Sequence, residues 1–84
     1  MMGSYTVVVC QYNASQGAVW GQSIRETLDW RKDREIDLCD SYKWLCRPGV
    51  SVLIRPNFND THEIPYKFHE YRSFDGESFK RIDF

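Results

Sequence analysis

Cys10, Cys39, Cys46, His62 and His69 are the side chains of this chain best suited to hold a transition metal. Their spacing argues against it. Six residues separate Cys39 from Cys46, and six separate His62 from His69. A zinc knuckle or ribbon keeps paired cysteines about two to four residues apart, because one tight turn must aim both sulfurs at one ion. Neither pair fits, so neither a metal nor any other cofactor is expected. Cys10 follows Val7-Val8-Val9 and reads as a small buried core residue. Three cysteines, an odd number, do not make a disulfide framework, so free thiols are expected.

Nucleophilic chemistry is no better supported. Cys46 precedes Arg47, and a neighbouring cation lowers a thiol pKa. A catalytic cysteine also needs a positioned base, and both histidines fall in loop or hairpin sequence. No nucleophile elbow is present. Gly17-Ala18-Val19-Trp20-Gly21 has two glycines but lacks the Lys-Ser/Thr of a phosphate loop. Asp29, Asp33 and Asp37 recur every four residues, the pattern of a solvated helix face. The expectation is a protein without enzymatic activity.

Binding chemistry is better served. Ser41 to Pro56 holds Lys43, Arg47 and Arg55 and no acid, with Trp44 among the cations. Trp, Tyr and Arg are enriched where partners bind most strongly. Trp44, Arg47, Arg55, Tyr71 and Arg72 are therefore the expected partner-binding residues. The alternative is nucleic acid. Tyr66-Lys67-Phe68-His69-Glu70-Tyr71-Arg72 interleaves aromatics with cations, as a base-stacking sheet face does. Across Pro65 to Phe84, however, Lys67, Arg72, Lys80 and Arg81 are balanced by Glu70, Asp75, Glu77 and Asp83. At least two of Trp20, Trp30 and Trp44 are expected in the core.

The elements that must position these groups read most clearly at the C-terminus. Tyr66–Phe74 and Glu77–Phe84 flank Asp75-Gly76, a strong signal for a two-residue hairpin turn. With Phe74 facing Glu77, Glu70 would face Arg81 and Phe68 would face Asp83. Tyr5–Tyr12 is β-branched and aromatic, apolar on both faces, as a central strand is. Ser23 and Glu26 fit a capping box, and Ile24 and Leu28 share a helical face, which places a helix at about 23–33. Arg34–Cys46 fits a helix with Leu38, Tyr42 and Leu45 on one side. It also fits two short strands leading through Arg47-Pro48-Gly49 into Val50–Arg55, and the strands are preferred.

Together these give an α+β fold: one domain over 1–84, with one main helix on an antiparallel or mixed sheet of four to six strands. A chain of 84 residues buries a modest fraction of its surface and leans on large aromatics for its core. The net charge of −1 suits neither a strongly basic nucleic-acid coat nor an acidic mimic of DNA. No apolar run is long enough for a signal peptide or membrane span, so a cytoplasmic location is expected. The function expected is that of a small binding protein, an inhibitor or accessory factor of a larger macromolecule. Viruses of bacteria make such accessory proteins against host enzymes and defences. A protein partner is expected, with a nucleic-acid-binding domain as the alternative.

Overall fold

The computed structural model describes residues 2–13, 15–29, 31–57 and 69–84, and of Met2 and Ala18 the backbone alone. The chain runs β1 (Met2–Asn13), β2 (Gly17–Asp29), α1 (Glu35–Tyr42) with a 3-10 turn at Lys43–Leu45, β3 (Val50–Pro56), β4 (His69–Phe74) and β5 (Lys80–Asp83). The strands form one five-stranded sheet in the order β2-β1-β3-β4-β5, with every pair antiparallel. This is the expected α+β architecture, one helix packed on an antiparallel sheet. Trp30, His62, Pro65 and Tyr66–Phe68 lie outside the described residues; the expected Phe68–Asp83 pairing does not form, because Asp83 pairs with His69.

β1 is the spine of the sheet. It pairs with β2 along its whole length and with β3 from Tyr5 to Gln11. Tyr5, Val7 and Val9 point to one face and are buried with Val52 and Ile54 of β3. Leu38 and Cys39 of α1 complete that core, with Tyr42 and Leu45 packed against it. The Leu38, Tyr42 and Leu45 stripe is thus the side of a helix, not of strands. Ile36 and Trp44, which a strand would have placed with Leu38 and Tyr42, are exposed. The Arg34 N–H donates to Asp37 Oδ2 at 2.8 Å, the reach-back half of a capping box at the start of α1.

The helix expected at about 23–33 is instead the second half of β2. Ile24 and Leu28 are four apart, which puts them on one face of a helix and equally on one face of a strand. The tie is broken by β1, which offers a partner to every position: Ile24 pairs with Val7 and Leu28 with Gly3. Glu26, between them, accepts a hydrogen bond from the Tyr42 hydroxyl. The two tryptophans described are both exposed, Trp20 at 51% and Trp44 at 62%, against the expectation that at least two of the three lie in the core.

The C-terminal turn forms as expected, and the register beyond it does not. Asp75 and Gly76 both have positive φ (53° and 85°), and the Glu77 N–H donates to the Phe74 carbonyl at 3.1 Å. The ladder then resumes one residue out of step. Tyr71 pairs with Arg81, and Glu70 with Ile82, so Glu70 and Arg81 lie on opposite faces. The extra residue in the Glu77–Phe79 arm is held by Ser73, whose hydroxyl donates to the Glu77 carbonyl at 2.6 Å. The slip moves Phe79 to the face of Ser73 and Tyr71, where it packs against the core. Burying an aromatic ring outweighs one solvent-facing ion pair, worth at most about 1 kcal/mol. Glu70 takes Arg72 instead, at 2.7 Å.

Candidate binding surface

Strand alternation and register sort the sheet into two faces. α1 covers the face of Tyr5, Val7, Val9, Ile54, His69 and Tyr71. Thr6, Val8, Cys10 and Tyr12 of β1 point the other way, and no element among the described residues packs over them. Pairing extends this open face across the sheet in rows. One row runs Ser23–Val8–Leu53–Arg72–Lys80, and another runs Gly21–Cys10–Ser51–Phe74. A third row places Arg25 and Arg55 on either side of Thr6. Strands lie about 4.8 Å apart, so these two guanidinium stems stand about 10 Å apart with no acid between them.

The centre of the open face is apolar. Val8 and Leu53 sit side by side, and Tyr12 stacks on Phe74 with ring centres 4.9 Å apart and planes 9° from parallel. Phe74 is 56% exposed. Towards the far edge, Arg72 lies over the Phe84 ring at 5.5 Å, and Ile82 stands beside Glu70. The ion pairs of this face differ in commitment. Arg72 is held by Glu70, and Lys80 lies 3.1 Å from Glu77. Arg55 is exposed and makes no ion pair among the described residues.

The five residues expected to bind a partner are not brought together. Arg55 and Arg72 share the open face. Trp44 and Arg47 form a separate pair at the end of α1, with Arg47 over the indole at 5.9 Å and its Nε donating to the Trp44 carbonyl at 3.1 Å. Tyr71 belongs to the covered face, because the one-residue alternation of β4 puts it opposite Arg72. Sequence reasoning missed Tyr12, Phe74, Phe84 and Arg25. Their common face shows only once each strand has a register. Cys10 also departs from expectation. It is half-buried on the open face, with its sulfur where a Cβ on Gly21 would meet it at 3.5 Å.

Polar chemistry is concentrated beneath α1. His69 Nε2 lies 2.5 Å from Glu35 Oε2, joining the first turn of the helix to β4, and the His69 side chain is 2% exposed. The His69 ring meets Tyr71 edge-on at 5.8 Å. The Tyr5 hydroxyl is buried there beside Glu35, and burial, followed by the Glu35 charge and a hydrogen bond to that carboxylate, raises its pKa. Burial, then Glu35 and Asp40, pushes the Cys39 thiol up to about 12. At neutral pH Cys39 is therefore a protonated thiol, a poor nucleophile. The pair ties helix to sheet. A shallow groove of about 440 Å³ runs between α1 and the arm after the turn, bordered by Cys39, Lys43, Cys46 and Phe79. Cys10, Cys39 and Cys46 are all free thiols. No group of three or more metal-ligating side chains gathers among the described residues, and no helix there is long and apolar enough to cross a membrane.

Comparison with protein-family models, curated proteins and solved structures finds no match to this chain.

Proposed function

We propose that this protein is a non-enzymatic binding module, an inhibitor or accessory factor that docks the open face of its sheet on a larger protein. One observation carries the reading. A single antiparallel sheet spends one face on its helix and turns the other outward as an apolar centre rimmed by arginines. Apolar centre and polar rim are the anatomy of a protein–protein contact. Arg25 and Arg55, flanking Thr6, favour a partner that presents carboxylates, which arginine can grip with two parallel hydrogen bonds. The expected contact set becomes Arg25, Arg55 and Arg72 with Val8, Leu53, Tyr12 and Phe74. Within a virus of bacteria, such a surface would suit occlusion of a host enzyme or defence protein.

The second reading, a nucleic-acid-binding domain, is favoured by the exposed Phe74 ring with arginines nearby. Against it stands the commitment of Arg72 and Lys80 to Glu70 and Glu77, which leaves few cations to track phosphates. Capture from a cell lysate with and without nuclease separates the two. A protein partner retained after nuclease supports the first reading. Recovery that disappears with nuclease, and that falls steeply with salt, supports the second.

A further inference from the structure

The two edges of the sheet are built differently. β5 ends one side with four residues, Lys80-Arg81-Ile82-Asp83, three of them charged. Short, charged edge strands discourage pairing with other chains. β2 ends the other side with thirteen residues, Gly17–Asp29, and carries neither proline nor lysine. No strand among the described residues pairs with its outer edge. From Gly17 to Ile24 it has no charge at all. The residues from Gly17 to Ser23 whose exposure is described are all exposed, with Val19 and Trp20 each at 51%. Its one irregularity is near the tip, where the register against β1 shifts between Gln11 and Tyr12 and Val19 becomes the extra residue. From Trp20 onward the strand is regular.

We propose that the β2 edge pairs with the β2 edge of a second copy of this chain, antiparallel, about a two-fold axis at Ser23. Ser23 is the midpoint of β2. In this register Ser23 meets Ser23, Gln22 meets Ile24, Gly21 meets Arg25 and Trp20 meets Glu26. No like charges face each other. Axes at Arg25 or Glu26 would set each charge against its own copy, which destabilises a ladder. The paired run from Trp20 to Glu26 has an ordinary strand length. A two-fold axis perpendicular to the sheet keeps like faces together. The product is a continuous ten-stranded sheet with both helices on one side and both open faces on the other. Trp20 of each copy would be covered, beside the Glu26 that accepts the Tyr42 hydroxyl of its neighbour. A partner with two acidic patches would then meet a doubled face, and avidity would follow.

Sedimentation equilibrium on the full chain tests this, with Ser23→Lys and Ser23→Glu as variants. Ser23 is exposed, and circular dichroism checks that each variant folds. The wild type should sediment as a dimer, each variant alone as a monomer, and an equimolar mixture of the two as a heterodimer. A wild-type monomer across the micromolar range would overturn the proposal, as would dimers of either variant alone. Hydrogen exchange on the wild type reads the same point without substitution. The outward-pointing, alternate amides between Gly21 and Arg25 should gain protection with protein concentration, and unchanged exchange at those amides would count against edge pairing.

Discussion

The two faces of the sheet are made of the same five strands and the same alternation, yet one holds the buried core and the other is only half-buried at its centre. Under α1 the side chains are Tyr5, Val7, Val9, Val52 and Ile54, each at most 4% exposed. On the other side Val8 and Leu53 are half-buried, while Arg55, Arg72 and Phe74 are exposed. A chain this small buries a limited fraction of its surface, and the apolar centre that no described element covers is the surface proposed above for partner binding. The contrast makes a simple demand. Substitutions on the covered face should cost stability, and substitutions on the open face should cost binding.

Ile54→Ala should show the largest stability effect. It removes a fully buried side chain from the covered face and should cost about 2–5 kcal/mol in denaturant unfolding. The corresponding change on the open face, Leu53→Ala, should cost clearly less, and equal losses would erase the distinction between the faces. Gly76→Val comes next, at about 1–3 kcal/mol, because Gly76 has φ of 85° and an added Cβ would stand 3.3 Å from Pro48. That site joins two turns. The Gly49 N–H donates to Asp75 Oδ1 at 2.9 Å, so loosening one turn frees the other.

Alkaline pH probes the covered face from another side. Burial pushes Cys39 from 9.0 to about 12, and burial followed by the Glu26 hydrogen bond pushes Tyr42 from 10.0 to about 12. Both groups are neutral when protonated, so above pH 9 the unfolded chain releases protons that the folded chain keeps. The stability these two groups contribute should therefore be fully present below about pH 9 and be lost as pH rises towards 12. Urea melts across that window should show the decline, and Cys39→Ala should flatten its lower part.

How much of this was legible in the sequence differs from element to element. β1 was plain, because Tyr5–Tyr12 is apolar and β-branched with no helical alternative. Asp75-Gly76 announced its turn through residues that tolerate positive φ. The helix was misplaced because a four-residue spacing of Ile24 and Leu28 satisfies both periods, and only the partner strand decides between them. The same ambiguity ran the other way at Leu38 and Tyr42. The hairpin register failed at one extra residue, since a charge match at Glu70 and Arg81 is weaker than burial of Phe79. Of the candidate binding surface, Arg55 and Arg72 could be found from their type. Their company on one face with Arg25, Tyr12 and Phe74 depends on contacts between strands far apart in sequence, which local patterns do not carry.

Arg55→Glu should be the smallest perturbation of the fold, within about 0.5 kcal/mol of wild type, because the side chain is exposed and unpaired among the described residues. That makes it the most direct probe of the central claim. Capture of the nuclease-resistant partner would be compared for wild type, the Arg25→Glu/Arg55→Glu double variant, and an Arg47→Glu variant on the helix side, each shown to be folded. The account predicts that the open-face double variant loses the partner by tenfold or more while the helix-side variant retains it. Undiminished capture by the double variant, with loss on Arg47→Glu, would contradict it and move the binding surface to the Trp44–Arg47 end of α1.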